Sequence, residues 1–201
     1  MVGPRSASFH SGGAKGDVSV PHRLYRRPHW FACKTRSRSE KKTALLLGRQ
    51  GIDTYVPLVK REREWSDRTA RVGFPVFPGY IFARFDLTRL HEVLGLPLVA
   101  AVARPNGYPT PVREEVLESV RRMVEGANEA GVMPQPEDFL AVGDPVKVVS
   151  GPFEGMEGIL IEVKGTTRVA IRIPVLRQAS SVEVSRTAVA PLKGPGQSRS
   201  A

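Results

Sequence analysis

The residues of this chain that could ligate a metal, or serve as nucleophile and base, are four histidines and one cysteine: His10, His22, His29, His91 and Cys33. Two of the histidines stand in the N-terminal tail, and the five offer no metal-ligand spacing. No Gly-x-x-x-x-Gly-Lys loop is present to cradle a phosphate. Glu114 and Glu115 are adjacent on one predicted helix, where they serve its positive end rather than act as an acid/base pair. No catalytic residue, metal or cofactor is therefore expected. Binding chemistry remains. Lys and Arg number 30 against 20 Asp and Glu, a net charge of +10 with a pI near 10.2. That surplus favours a polyanionic partner such as nucleic acid or a ribonucleoprotein. A single cysteine makes no intrachain disulfide, which is consistent with the cytosol. No apolar run approaches the ~20 residues of a membrane span, and the N-terminus carries no apolar signal region.

The aromatic residues are concentrated in Val76-Phe77-Pro78-Gly79-Tyr80-Ile81-Phe82-Ala83-Arg84-Phe85. Pro-Gly signals a turn, and strand alternation follows it. Ile81, Ala83 and Phe85 share one face; Tyr80, Phe82 and Arg84 share the other. The first face suits a core. The second, with two aromatics and a charge, suits a surface left open until a partner covers it. The alternative is a strand buried on both faces.

Positioning that stretch requires the elements around it. Residues 1–28 read as a disordered basic tail, with Arg5, Lys15, Arg23, Arg26 and Arg27 against Asp17. A strand is predicted at Trp30–Lys34, then a helix opened by a Ser37/Glu40 capping box. Ala44, Leu45, Leu46 and Leu47 supply that helix's apolar side, and Gly51 its left-handed stop. Residues 52–59 contain a strand broken at Pro57. The mixed-charge insert 60–71 reads as a protruding hairpin or a solvated loop, with Trp65 arguing for a contact. A short helix is predicted at 88–94 and a strand at 99–102. A longer helix has Thr110 as cap, Pro111 in its first turn, and a buried stripe of Val112, Val116, Leu117, Val120, Met123 and Val124, ending at Gly126. Residues 29–126 thus form an α+β domain, an antiparallel sheet covered by helices. Residues 127–140, with Asn, Gly and two prolines, read as a linker that leaves the next domain loosely tethered. Residues 141–192 carry five short strands and fit a small all-β barrel. Residues 193–201 form a loose tail. Ile159, Ile161, Val163, Val169, Ile171, Ile173, Val182 and Val184 are β-branched at strand spacing, which opposes a helical form of this domain.

Three motifs occur in a familiar order: Trp30-Phe31 at the start of a strand, Phe77-Pro78-Gly79-Tyr80-Ile81-Phe82, and Gly151-Pro152-Phe153-Glu154-Gly155-Met156-Glu157-Gly158. Over residues 29–192 the chain resembles the NusG family of bacterial transcription elongation factors. The Arg36-Ser37-Arg38-Ser39-Glu40-Lys41-Lys42 run and the Trp65-Ser66-Asp67-Arg68 insert resemble the specialised RfaH/UpxY-like branch. The resemblance implies an NGN domain that docks on the clamp helices of RNA polymerase, and an SH3-like KOW barrel that recruits Rho or a ribosomal protein. It implies a soluble, cytoplasmic, non-catalytic monomer. It assigns the polymerase contact to Phe77, Pro78, Gly79, Tyr80 and Phe82, and contact with the non-template DNA strand to Arg36, Arg38, Lys41 and Lys42. It assigns partner binding by the barrel to Phe153 and to Leu176, the latter standing where housekeeping members often carry Phe. Lys34 stands where many relatives carry an aromatic or amide. A ribosome- or RNA-binding KOW protein acting without polymerase is the competing reading.

Overall fold

The computed structural model describes residues 22–65 and 68–192. The tails at 1–21 and 193–201, the 66–67 tip of the charged insert and the contact expected of the Trp65 side chain lie outside the described residues. The N-terminal domain runs β1 (His29–Thr35), α1 (Glu40–Arg49), β2 (Asp53–Tyr55), β3 (Leu58–Trp65), β4 (Arg68–Pro75), β5 (Tyr80–Phe85), α2 (Leu90–Gly95), β6 (Val99–Val102), β7 (Pro111–Val112) and α3 (Glu114–Glu129). Its antiparallel sheet has the order β2-β5-β1-β6, with β7 also pairing on β1. β1 and β5 pair from His29↔Phe85 to Lys34↔Tyr80. β3 and β4 form the predicted hairpin.

Alternation sorts the sheet into two cores. Phe31, Cys33, Ile81, Ala83 and Phe85 pack with Leu47 of α1 and Val93 of α2. The Phe31 and Phe85 ring centroids are 4.8 Å apart. Burial pushes the Cys33 thiol up to about 12, so it stays protonated at neutral pH. On the opposite face Trp30, Ala32 and Phe82 pack with Leu117, Val120 and Val124 of α3. Each large side chain so buried stabilises by about 1.5–3 kcal/mol.

Several local expectations change. α1 begins at Glu40 after Ser39, without a side-chain cap. Ser37 and Glu40 form no capping box, because Glu40 turns inward to another partner. The helix buries Glu40, Thr43 and Leu47, while Leu45 faces solvent. Its end closes as expected on Gly51 (φ +68°), with Ile52 N donating to Leu47 O and Gly51 N to Gly48 O. Thr110 does not cap α3, since Pro111 and Val112 are held in β7 against β1. The N-cap position of α3 is Arg113, again without a side-chain bond. The tail is not structureless up to residue 28: a 3₁₀ turn at His22–Tyr25 buries Leu24 in the core beneath α1 and α2.

The C-terminal domain contains β8 (Gln135–Glu137), β9 (Asp144–Val148), β10 (Glu157–Val163), β11 (Thr166–Ile173), β12 (Gln178–Glu183) and β13 (Val189–Pro191). They form one antiparallel sheet in the order β13-β9-β10-β11-β12-β8. Lys164 (φ 51°) and Gly165 (φ 78°) make the two-residue turn that twisted hairpins favour. Two features depart from the loose-linker expectation. Gly126 does not end α3, which continues to Glu129, and β8 adds to the edge of β12 within the stretch expected to be free. Ser180 Oγ donates to Gln135 O, Ser181 Oγ donates to Glu137 Oε2 at 3.0 Å, and Arg168 lies 4.0 Å from the same carboxylate. The span between helix and sheet is reduced to residues 130–134.

The all-β domain packs against α3 through β10 and β11. Glu157 N donates to Ser119 Oγ at 3.2 Å, and Arg122 Nη1 to Glu154 O at 3.4 Å. Gly126 is a glycine for a steric reason. A Cβ there would collide with the Pro152 carbonyl and the Phe153 ring. A bulky Gly126→Leu side chain is therefore expected to force the all-β domain off α3, costing about 1–3 kcal/mol by overpacking. Amide relaxation should then show two independently tumbling units with intact sheets; unchanged joint tumbling would contradict this packing.

Candidate docking surface

Phe77, Pro78, Gly79 and Tyr80 form a turn in which Tyr80 N donates to Phe77 O at 3.2 Å. Proline at the second position and a left-handed Gly79 (φ +80°) at the third make it a type II turn. The Gly79 backbone is held from both sides. Its carbonyl accepts from Thr35 N at 2.8 Å, and its N–H donates to Glu40 Oε1 at 2.7 Å. Pro78 is exposed, and a Cβ on Gly79 would meet nothing within 4 Å. The turn is thus rigidly held and open to solvent.

The strand that follows is less open than alternation suggested. α3 lies across the Tyr80/Phe82 face. Phe82 is fully buried, Phe77 is almost so, and Tyr80 is half-buried against the same core. Of the five residues assigned to polymerase contact, Pro78, Gly79 and Tyr80 reach the surface, while Phe77 and Phe82 support them from within. The alternation was correct, but the apolar stripe of α3 had found its cover on this same sheet.

Behind the turn stands a column of rings. Phe77 meets Phe82 edge-on at 6.4 Å, and Phe82 stacks with Tyr55 at 6.3 Å. The Arg121 guanidinium lies 5.4 Å from the Tyr55 ring centroid and 5.7 Å from that of Trp30. Glu114 and Glu118 hold Arg121 Nη1 at 3.1 and 3.3 Å. Burial pushes the Tyr55 phenol up in pKa, against the pull of Arg121, with Glu125 and Glu118 adding to the rise. Glu40, Tyr55 and Arg121 were missed by sequence reasoning. Tyr55 opposite Phe82 follows only from the β2–β5 register, and Arg121 faces the sheet only because of where α3 crosses.

Arg36, Arg38, Lys41 and Lys42 are all exposed around the start of α1, and Lys34, beside Tyr80 in the β1–β5 register, extends the same patch. Among the described residues none of the four is in an ion pair. Arg38 holds a left-handed φ of 54°, a conformation uncommon for a side chain of its kind. Lys41 Nζ reaches the base of the β3–β4 hairpin beside Gly73. In the all-β domain Phe153 is buried against α3 and Leu176 is half-buried against the shared core, so neither presents an open partner surface here. No helix among the described residues is long and apolar enough to cross a membrane.

Residues 28–121 match the family model described as transcription termination factor nusG. The transcription termination/antitermination protein NusG of Helicobacter pylori strain J99 is 27% identical over 177 residues, covering 77% of this chain and 93% of that protein. The protein of the same name from Neisseria meningitidis serogroup B is 29% identical over 174 residues, covering 77% and 96%. Among solved structures, one titled for domain interaction in Thermotoga maritima NusG covers 84% of this chain and 99% of its own, at 22% identity and a TM-score of 0.47.

Removing the guanidinium that caps the aromatic column should uncover Trp30. In a Trp65→Phe background, Arg121→Ala is expected to raise acrylamide quenching of Trp30 fluorescence and to lower stability by about 1 kcal/mol. Unchanged quenching would mean that the helix backbone, not Arg121, shields the ring.

Proposed function

We propose that this chain is a member of the NusG family, whose model it matches over residues 28–121, and that it is a non-catalytic transcription elongation factor that docks on RNA polymerase and lengthens transcripts by opposing pausing and termination. The observation that carries the reading is the Pro78-Gly79-Tyr80 turn: solvent-open, held at Gly79 from both sides, and backed by the Phe77–Phe82–Tyr55 rings. A preformed apolar knob of this kind loses little entropy on binding. It suits an apolar groove between helices, such as the polymerase clamp helices. Phe77 and Phe82 act by supporting Tyr80. By favouring one state of the enzyme, a bound factor shifts the pausing equilibrium without covalent chemistry.

Arg36, Arg38, Lys41 and Lys42 lie on the flank of the same domain and are the contacts we assign to the displaced non-template DNA strand. Their exposure, and the absence of ion pairs on them among the described residues, support this. With the charged hairpin they favour the specialised RfaH/UpxY-like branch. Phe153 and Leu176 of the all-β KOW domain are the contacts we assign to a second partner, Rho or a ribosomal protein. Both pack into the core shared with α3, so that partner engages them after the domain leaves the helix. The factor works as a cytoplasmic monomer in this reading.

Tyr80→Ala is expected to weaken binding to polymerase core by about 2 kcal/mol, roughly 30-fold, as loss of an aromatic anchor does. Wild-type affinity in the folded variant, with retained binding to ribosomes, would favour the RNA-binding alternative. Replacing Arg36, Arg38, Lys41 and Lys42 with Gln should flatten the salt dependence of binding to an elongation complex by about 0.7 in log–log slope for each phosphate that is no longer neutralised. An unchanged slope would place the DNA-binding residues elsewhere.

A further inference from the structure

Glu40 is the one buried carboxylate among the described residues, 8% exposed although it is the first residue of α1 and is followed by the exposed Lys41 and Lys42. A glutamate there ordinarily faces water near the helix's positive end. Here it crosses to another part of the chain, 39 residues distant, and accepts from the Gly79 N–H at 2.7 Å. Burying a carboxylate is unfavourable unless its hydrogen bonds return the lost solvation, and the charge makes this a strong bond. The bond is made to the one residue of the exposed turn that must adopt a left-handed backbone. The opposite side of that residue is fixed by the Thr35 N–H. Glu40 therefore ties the start of α1, and with it Lys41 and Lys42, to the turn that presents Tyr80.

We propose that Glu40 is a positioning residue for docking: its buried carboxylate sets the Pro78-Gly79 turn and locks it to the basic start of α1, so that Tyr80 meets polymerase and the basic patch meets the DNA strand as one rigid unit. The inference rests on the docking reading above, and Glu40 itself touches neither polymerase nor DNA. Without the bond the turn retains its sequence but samples other orientations, and binding bears the cost of fixing them.

The test uses the full-length protein with Glu40→Ala, Glu40→Asp and Glu40→Gln, alone and with Tyr80→Ala. Asp keeps the charge but is one methylene too short; Gln keeps an acceptor oxygen at the same reach. Glu40→Ala and Glu40→Asp should each weaken polymerase-core binding by about tenfold and speed hydrogen exchange at the Gly79 amide by a similar factor. Glu40→Gln, which keeps the acceptor but not the charge, should restore part of both. In the Tyr80→Ala background, Glu40→Ala should add almost nothing to the loss of affinity, because a positioning residue acts through the anchor it places. A general structural effect would be additive and would overturn the proposal. So would wild-type affinity in Glu40→Ala and Glu40→Asp, or equal losses in Gln and Ala. Should Ala not fold, Asp and Gln carry the same comparison. If Tyr80→Ala itself leaves affinity unchanged, the docking reading fails; if Tyr80→Ala weakens binding and the Glu40 variants do not, only the role of Glu40 fails.

Discussion

Helix α3 is buried along one broad arc, and both domains take their position from covering it. Leu117, Val120 and Val124 face the sheet with Trp30, Ala32 and Phe82, while Ser119 and Gly126 meet the all-β domain. A helix covering one sheet needs an apolar stripe of a little over a quarter of its circumference. This one carries more, and the surplus is covered by β10, β11 and the Pro152–Phe153 loop. The result is a continuous core, from the rings beneath the Pro-Gly turn through α3 to Val148, Met156 and Val169. The close approach depends on a missing side chain. Gly126 lowers helix propensity by about 1 kcal/mol relative to Ala, and in return the backbone of another domain can lie against the helix.

Charged groups at the edges of this core are each held by a specific partner. Arg121 spreads over Trp30 and Tyr55 and is anchored by Glu114 and Glu118. Glu40 directs its charge at one backbone N–H. Exposed ion pairs contribute little to stability, so the value of the Arg121 cluster lies in its cover of the rings rather than in its salt bridges. The basic residues at the start of α1 are the contrast. Arg36, Arg38, Lys41 and Lys42 have no ion pair among the described residues and leave a concentrated positive field beside the turn.

The second domain is tied twice: by its contact with α3 and by β8. A three-residue strand with Pro136 at its centre is a poor ladder element, because proline cannot donate. Side chains compensate, with Ser180, Ser181 and Arg168 bonding to or facing Gln135 and Glu137. With β8 in place the tether is short, and a short tether raises the effective concentration of the domain at the helix. The same docking buries Phe153 and draws Leu176 toward the core, so the helix and any partner of those residues compete for one apolar surface.

Periodicity and turn chemistry, both properties of neighbouring residues, determined the elements β1, β5, the α3 stripe, the Gly51 stop, and the strands from Val146 to Val189, and left the 60–71 insert open between a hairpin and a loop. They also determined which side chains of β5 share a face, and the Pro-Gly turn that presents Tyr80, because strand geometry leaves no other choice. They did not determine what lies on that face. The helix covering Tyr80 and Phe82 begins 32 residues beyond Phe82, and an apolar face reads the same whether a partner or the chain itself will bury it. Gly126 read as a helix end because the backbone that crowds it belongs to Pro152. The 127–140 stretch read as free because pairing with β12 is written in register, not in composition. Glu40 read as a cap because its partner, Gly79, is distant in sequence and is identified only by an N–H that every residue except proline possesses. Such contacts pair surfaces across the chain, and only the tertiary structure decides which surfaces meet.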